Sequence, residues 1–462
     1  MFNAITYIER RKELKKNFKK GILLFLSNEE SPMNYADNTY HFRQDSTFLY
    51  YWGIKEPGFA AVINMEKDED IIFGEDRSID EIVWMGFGES VKDKAQKVGV
   101  EEIKSYSKLN DYLNKHINKS VEIHFIPQYR QANLAMLEKL LGINHNRINE
   151  YSSKKMIKSI IKQRSIKSKE EVNEISKAVD ISYEMNTAAM RLITPGIVER
   201  EVFGKIEGIA LSKGDGVSFP IIFSVNGQIL HNHSHENIMK DGQIAVLDSG
   251  AQTTLGYASD ITRTIPVNGV FSEKQKEIYN IVLASQIKSI EMIKPGIKFK
   301  DIHLEAARTT ANGLRDLGIM KGDINEAVEK GAHALFFPHG LGHMIGLDVH
   351  DLENYGENFV GYSKSIKRSD QFGLAYLRLG KQLKEGNVVT VEPGCYFIPA
   401  LIEKWQNEGK HTEFINYEKL GDYLDFGGVR IEDDVLVTEN GFEILGKAIP
   451  KTIDEVQEAC TK

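Results

Sequence analysis

Short apolar runs alternate with helical patterns over the first third of the chain. Residues 5–20 predict an amphipathic helix that ends at Gly21. The apolar runs predict short strands, which are Ile22–Ser27, Ala60–Asn64, Ile71–Phe73 and Val121–Phe125. This alternation predicts an α/β domain over residues 1–160. The polar, lysine-rich stretch 152–170 then predicts a connector to a second domain over residues 165–462.

The second domain carries a pattern that occurs twice. A long helical pattern over 168–192 stops at Thr194–Gly196, and a later one stops at the similar Lys294–Gly296. The basic, acidic, aliphatic triplet Arg200–Val202 is echoed by Lys300–Ile302, and each triplet begins a further helix that strand-like segments follow. Pro-Gly pairs are common helix breakers, so coincidence is the alternative. Matching triplets at matching offsets favour an internal duplication of a helix–helix–sheet unit around a concave centre.

Three histidines, His339, His343 and His350, lie in the apolar segment Phe337–Asp351. Three glycines in this segment argue against a regular helix, so the i, i+4 spacing of a helical zinc motif does not apply. A buried imidazole needs a polar partner. For one such histidine a satisfied core side chain is the better interpretation, but three together, with acidic strands downstream, indicate a functional site.

Four acids interrupt strands that are otherwise apolar. They are Asp248 in the strand 243–250, Asp260 in the returning strand 257–266, Glu392 at the end of the strand 387–394, and Glu432 in the strand 428–437. The first two predict a hairpin with both acids pointing into the domain. Arg430 shares a strand face with Glu432.

Acids inside apolar strands need a counter-charge. Arg430 or Arg263 could neutralise one of them, but four acids with an imidazole exceed the nearby arginines. Divalent cations are the economical explanation. A single hard ion is one arrangement, and two ions about 3.5–4 Å apart, bridged by carboxylates, is the arrangement of hydrolytic sites. An oxygen-rich set with one histidine suits Mn²⁺, Co²⁺ or Zn²⁺.

Composition limits the class of protein. A chain of 462 residues with 41% hydrophobic and 27% charged residues predicts a soluble globular protein of two domains. The net charge of −8 gives no basic surface for nucleic acid. Two cysteines favour a reducing compartment, and the chain shows no signal-peptide core and no membrane-spanning apolar run. We therefore expect a cytoplasmic protein that binds neither membrane nor nucleic acid.

The acids and one histidine, in their order and contexts, resemble the metal ligands of the pita-bread metallopeptidases, which include methionine aminopeptidase, aminopeptidase P and prolidase. The residues that carry this resemblance are Asp248, Asp260, His343, Glu392 and Glu432. The resemblance covers nearly the whole chain. It implies an α+β pita-bread catalytic domain with an internal pseudo-two-fold duplication, and two divalent ions, with Mn²⁺ expected first.

The first domain narrows the resemblance to the proline-specific members. Its Phe42–Ser46 and Glu56–Gly58 segments resemble the N-terminal domain of aminopeptidase P and prolidase, which methionine aminopeptidase lacks. The resemblance implies an exopeptidase that hydrolyses the bond between an N-terminal residue and proline in short peptides, with Glu392 carrying the proton. The positions expected around substrate and metal are His231, His339, His350 and Arg430.

Two features bear on the choice between aminopeptidase P and prolidase. Gly373–Arg378 and the insertion between Glu392 and Glu432 resemble the eukaryotic prolidases, in which an arginine at the position of Arg378 grips the carboxylate of a dipeptide. Trp84 matches a tryptophan that in aminopeptidase P reaches the site of the neighbouring subunit. A packed surface tryptophan is the alternative for Trp84. A homodimer or homotetramer is expected from the family.

Two other classes of function share this fold. A non-catalytic interaction scaffold would have lost metal ligands, and a creatinase-like hydrolase does not use the metals. The five retained candidate ligands speak against both alternatives.

Overall fold

The computed structural model describes residues 1–461, which form two compact units. The first unit is Met1–Arg164, and the second begins at Ser165. The polar stretch expected to be a connector is largely helical. Lys154–Arg164 forms a helix because Met156, Ile157, Ile160 and Ile161 recur at helical spacing and are buried. Only residues 165–168 separate it from the next helix.

The first unit contains seven helices and seven strands. The helices are α1 (Ala4–Lys15), α2 (Ser46–Trp52), α3 (Ile79–Met85), α4 (Val91–Lys97), α5 (Leu109–Ile117), α6 (Gln131–Leu141) and α7 (Lys154–Arg164). The strands are β1 (Ile22–Leu26), β2 (Pro32–Tyr35), β3 (Asn38–Thr39), β4 (Ala60–Asn64), β5 (Glu69–Phe73), β6 (Glu102–Lys104) and β7 (Ile123–His124).

A mixed five-stranded sheet in the order β6-β5-β4-β1-β7 forms the middle of this unit. Its inner pairs are antiparallel and its two edge pairs are parallel. Every residue of β1 and β4 is buried, as their continuous apolar runs predict for strands covered on both faces. The expected α/β domain is confirmed. The first helix ends at Lys15, earlier than expected, and the predicted last strand is reduced to Ile123–His124.

The second unit contains nine helices and eight strands among its residues up to 461. The helices are α8 (Lys169–Leu192), α9 (Glu199–Lys213), α10 (Glu273–Glu291), α11 (Phe299–Asp316), α12 (Ile324–Lys330), α13 (Glu357–Gly361), α14 (Pro399–Asn407), α15 (Tyr417–Leu420) and α16 (Ile453–Cys460). The strands are β8 (Ile222–Ser224), β9 (Ile244–Ser249), β10 (Ile261–Pro266), β11 (Val388–Val391), β12 (Gly394–Tyr396), β13 (Gly428–Arg430), β14 (Asp433–Val437) and β15 (Phe442–Ile444).

The internal duplication is confirmed by the order of these elements. The helix pair α8 and α9 is followed by the three-stranded sheet β10-β9-β8, and the pair α10 and α11 by the sheet β11-β14-β15. Both sheets are antiparallel. The glycines of the two Pro-Gly turns both have a positive φ, of 95° at Gly196 and 89° at Gly296. The repeated sequence pattern therefore reflects repeated local structure.

The strand predicted over 428–437 is interrupted. Strand β13 ends at Arg430 and pairs with β12, whereas β14 begins at Asp433 and pairs with β11. The segment that pairs with it is interrupted at the matching position. Pro393, which lies between β11 and β12 in the chain, has no N–H to donate to a neighbouring strand. Glu392 and Glu432 fall in these two matching breaks, where the chain leaves one sheet for the other.

Among residues 1–461, none of the helices combines the length and the apolar character that crossing a bilayer would require.

Replacing Arg11 tests what holds the first unit together. The Arg11 guanidinium is buried, contacts Asp70 at 2.7 Å and donates to the carbonyl oxygens of Tyr51 and Val98 at 2.8 Å each. We expect Arg11→Met to lower the free energy of unfolding by about 3 kcal/mol, because it leaves two buried carbonyls without their donor and removes one of the two cations that pair with Asp70, the other being Lys15. Urea unfolding followed by hydrogen exchange of peptides from β1 and β4 measures this.

The matched control is Lys12→Met, whose side chain makes only an exposed pair with Glu9. It should change the free energy of unfolding by less than about 1 kcal/mol. Equal effects of the two substitutions would contradict the assignment.

Candidate metal centre

Three of the predicted ligands meet at one point in the second unit. Asp260, His343 and Glu432 each offer a ligand atom, and these atoms all lie within 4.8 Å of one another. His343 Nε2 is 3.4 Å from Asp260 Oδ2. All three residues are buried, with exposed fractions of 5%, 2% and 1%. They form a candidate metal site.

The other two predicted ligands lie beside this group. Glu392 Oε1 is 3.9 Å from His343 Nε2. Asp248 lies on β9 directly across from Thr262 on β10, so the hairpin expected for the two aspartates is present. Asp248 Oδ2 accepts a hydrogen bond from Arg430 Nη2 at 2.7 Å. All five side chains line the same cavity.

A glycine lets the histidine segment approach β11 closely. A Cβ at Gly342 would lie 2.1 Å from the carbonyl oxygen of Thr390, so only glycine fits there. Thr390 N donates to the His343 carbonyl at 2.9 Å, and Glu392 N donates to the Leu341 carbonyl at 2.8 Å. These bonds fix the His343 backbone against the strand that ends beside Glu392.

Three carboxylate oxygens at this point lack hydrogen-bond partners within the described chain. Asp248 Oδ1, Asp260 Oδ1 and Glu432 Oε1 are buried and accept no hydrogen bond from residues 1–461. Arg263 does not neutralise them, because its Nη2 is bound to Asp433 Oδ1 at 2.7 Å. Unpaired buried carboxylates are costly. A divalent cation with oxygen and imidazole ligands fits this donor set.

The acids raise one another's pKa. Burial raises the pKa of Asp260 and Glu432 well above the usual range, and neighbouring carboxylates raise both further. Burial raises the pKa of Glu392 to about 8, with Asp248 adding to the rise and Arg430 opposing it. The site therefore disfavours the ionised form of these acids unless a further positive charge lies among them.

The histidines are held neutral. Burial lowers the pKa of His343 to about 4, of His339 to about 3 and of His350 to about 2. Nearby positive charge contributes, from Arg430 at His339 and from Arg378 at His350. Burial also lowers the pKa of His231, which lines the same cavity. Neutral imidazoles can ligate a cation or act as hydrogen-bond partners of a substrate.

Tyr396 is a site residue that the sequence reasoning missed. Its hydroxyl accepts a hydrogen bond from Arg430 Nη1 at 2.7 Å and is hydrogen-bonded to His339 Nε2 at 2.8 Å. It thereby links an imidazole in the cavity to the guanidinium that holds Asp248. The available signal was strand alternation, because Tyr396 lies two residues beyond Gly394, which pairs with Arg430 in the β12–β13 ladder.

Asp434 and Thr262 form hydrogen bonds to two of the candidate ligand residues. Thr262 Oγ1 donates to Glu432 Oε2 at 2.8 Å and accepts from Arg430 Nε at 3.2 Å. Asp434 is fully buried and accepts a hydrogen bond from Asp260 N at 3.1 Å. Asp434 follows Glu432 by two residues, a spacing that could have indicated it. These contacts fix the orientation of ligands in the way typical of metal sites.

The cavity has a volume of about 750 Å³ and extends beyond the acids. His231, His339, His350, Arg378 and Arg430 all line it, so the structure gathers these predicted site residues in one place. Its outer wall also includes the apolar side chains Phe372, Tyr376, Ile398 and Leu401. The remaining predicted site residue, Trp84, lies on α3 of the first unit with 85% of its surface exposed.

Comparison with known proteins agrees with this architecture. The sequence profile of metallopeptidase family M24 matches residues 173–439, and that of the aminopeptidase P N-terminal domain matches residues 7–124. The Xaa-Pro aminopeptidase of Escherichia coli is 31% identical over 97% of this chain and 96% of its own length. A probable Xaa-Pro aminopeptidase of Aspergillus fumigatus is 31% identical over 90% of this chain and 87% of its own length.

Solved structures match over the whole chain. A variant of E. coli aminopeptidase P in complex with substrate has a TM-score of 0.82 and 28% identity, covering 100% of this chain and 98% of that one. Proline aminopeptidase P II from Yersinia pestis has a TM-score of 0.81 and 28% identity, covering 100% of both chains. The chain is thus a member of metallopeptidase family M24 with the pita-bread fold, and it carries an N-terminal domain of the aminopeptidase P type.

Proposed function

We propose that this protein is a dinuclear-metal Xaa-Pro aminopeptidase, which removes the residue N-terminal to proline from peptides of three or more residues. Residues 1–160 form its N-terminal domain and residues 165–462 its catalytic domain in this proposal. The observation that carries it is the set of buried, unpaired carboxylate oxygens beside His343, open to a cavity that fits a short peptide. The similarity to Xaa-Pro aminopeptidases over nearly the full length supports the same function.

The proposed metal ligands are Asp248, Asp260, His343, Glu392 and Glu432, with Mn²⁺ as the first choice and Co²⁺ or Zn²⁺ as alternatives. Two bound ions would supply Lewis acidity and would make water nucleophilic near neutral pH. The four carboxylates would offset the charge of two divalent ions, so the loaded site would carry no large net charge.

The remaining site residues would act on the peptide directly. Glu392, at the cavity surface, takes the proton from the attacking water and passes it to the proline nitrogen, which as a tertiary amide carries no hydrogen of its own. His231, His339 and His350 position the substrate or stabilise the oxyanion. Arg430 holds Asp248, and through Tyr396 it also sets the ring of His339.

The apolar outer wall favours peptides longer than a dipeptide. Phe372, Tyr376 and Leu401 line the cavity together with Arg378 and could contact residues that follow proline. Prolidase activity, with Arg378 gripping the dipeptide carboxylate, is the second candidate because that guanidinium does line the cavity. Its positive charge also helps to lower the pKa of His231 and His350.

We also propose a homodimer or homotetramer in which Trp84 contributes to the interface. Trp84 and Phe87 are 85% and 90% exposed, and the helix α3 that carries Trp84 has no buried residue. Contiguous exposed apolar side chains of this kind mark association surfaces. The exposed apolar residues here are Ile79, Val83, Trp84, Met85 and Phe87.

Substrate length and metal dependence are tested together. We expect metal-stripped protein to be inactive and added Mn²⁺ to restore cleavage of an Xaa-Pro-Yaa tripeptide in preference to the Xaa-Pro dipeptide. Hydrolysis rates of both peptides, for the wild type and for Arg378→Ala, measure this. Mn²⁺-dependent dipeptide cleavage that collapses in Arg378→Ala would favour prolidase instead. Cleavage of neither peptide would overturn the enzymatic proposal.

Asp260→Asn separates metal binding from folding. Removing one of several crowded buried carboxylates should raise the melting temperature of the metal-free protein, because like-charge repulsion is relieved. The same change should abolish activity and also the thermal shift on adding Mn²⁺. In the wild type that shift corresponds to about 2.7 kcal/mol at a metal concentration of 100 times Kd.

The control for this experiment is Asp37→Asn, which replaces an exposed aspartate of the first unit. It should leave the melting temperature, the Mn²⁺-induced shift and the activity unchanged. A metal-free Asp260→Asn protein that melts lower than the wild type would argue against the charge-repulsion account.

The oligomer is tested by Trp84→Ser and sedimentation velocity. We expect this variant to sediment as a smaller species than the wild type, because it removes the largest exposed apolar side chain of α3. Tyr35→Ser, which changes an exposed aromatic residue of the β2–β3 hairpin, is the matched control and should not alter sedimentation. An unchanged assembly in Trp84→Ser would refute the proposed interface.

A further inference from the structure

Arg378 is already bound by two carboxylates of its own chain. Its Nη1 donates to Glu353 Oε2 at 2.7 Å and to Glu357 Oε1 at 3.2 Å. The second oxygen of Glu357 pairs with Arg368. Arg378, Arg368 and Glu357 line the cavity. With Glu353, which binds Arg378, these three residues form a group of two arginines and two glutamates that has no net charge when both glutamates are ionised.

Backbone contacts between α13 and the segment that carries Arg378 position these charged side chains. The short helix α13 begins at Glu357 and ends at Gly361, where a Cβ would lie 1.8 Å from the carbonyl oxygen of Arg378. The Gly361 carbonyl accepts hydrogen bonds from Gly380 N and Lys381 N at 2.8 Å each. Glycine at 361 therefore allows α13 to pack against the Arg378 backbone, which brings Glu357 within reach of the guanidinium.

The two glutamates limit which groups of a bound peptide can hydrogen-bond to Arg378. Both glutamates bind Nη1, and a guanidinium carries five N–H donors in all, so further donors exist for a neutral peptide carbonyl. A free carboxylate is different. It would bring a third negative charge to two glutamates, or it would have to displace one of them.

The surroundings of Glu353 already disfavour negative charge. Burial raises the pKa of Glu353 to about 7, and Glu357 raises it further while Arg378 opposes the rise. His350 Nδ1 lies 3.7 Å from Glu353 Oε2. The charged or titratable groups that face Glu353 are Arg378, Glu357, Arg368, His350 and Glu392.

We propose that Glu353 and Glu357 are specificity-determining residues, which occupy Arg378 and so disfavour substrates whose own carboxylate would reach it. This inference rests on the proposed Xaa-Pro peptidase function and names its substrate class. In this proposal the carboxylate of a dipeptide ending in proline would have to reach Arg378, where the two glutamates bind. A longer peptide, or a dipeptide amide, offers an amide there and is accepted.

The test compares substrates that differ only in this charge. Ala-Pro, its amide Ala-Pro-NH₂ and Ala-Pro-Ala are assayed with Mn²⁺-loaded wild type, Glu353→Gln and Glu357→Gln. We expect the wild type to prefer the amide over the acid in kcat/KM. Glu353→Gln should lower that amide-to-acid ratio by about tenfold, because one repelling charge near the carboxylate is removed. Glu357→Gln should act in the same direction.

The pH profile gives a readout that a merely structural role would not move. Below pH 7 Glu353 becomes protonated, so the amide-to-acid ratio of the wild type should fall between pH 8 and pH 6. In Glu353→Gln the ratio should be nearly flat over this range. Changes in the metal centre affect both substrates and cancel in the ratio. Glu403→Gln, an exposed glutamate on α14, is the control and should keep the wild-type ratio and profile.

Calorimetric binding of Ala-Pro and Ala-Pro-NH₂ to the same Mn²⁺-loaded proteins separates this inference from the proposed function. If the wild type binds these peptides without cleaving them, the catalytic proposal fails, and tighter Ala-Pro binding in Glu353→Gln still supports the inference. A ratio that is the same in wild type, Glu353→Gln and Glu357→Gln, in turnover or in binding, overturns it. Absence of both binding and turnover overturns both.

Discussion

The repulsion among buried carboxylates at the junction of two sheets is the constraint on which the second unit depends. Asp260 and Glu432 are almost completely buried and have oxygen atoms without partners in the described chain. Folding of the metal-free chain must bring these carboxyl groups together away from water, and both burial and the neighbouring carboxylates raise their pKa. A bound cation would convert this cost into binding free energy, which is the physical logic of a preformed metal site.

The two buried arginines near the site do not pair with these carboxylate oxygens. Arg263 is fully buried and binds Asp433, and Arg430 binds Asp248 and Tyr396. Each guanidinium lies within a few residues of the cluster, yet neither contacts the free oxygens of Asp260 or Glu432. The arginines therefore pair with groups around the site and leave the free oxygens of Asp260 and Glu432 without a cationic partner.

The outer wall of the cavity is built from segments that the duplication does not require. The turn and helix from Glu353 to Gly361, the loop that carries Arg378, and α14 all lie outside the repeated helix–helix–sheet units. The geometry of the candidate metal centre and the lining of the outer wall can thus change separately. In this chain the wall joins an apolar surface to an arginine that is paired with two glutamates.

The sequence by itself determined the elements and the candidate ligands. Apolar runs, the repeated Pro-Gly turns and acids interrupting strands are local signals, because burial acts on each strand face directly. The tertiary structure alone decided the break between Arg430 and Asp433, the link from Tyr396 to His339, and the pairing of Arg378 with Glu353 and Glu357. Those features depend on which distant side chains meet and at what distance, and Coulomb and hydrogen-bond energies change steeply over that distance.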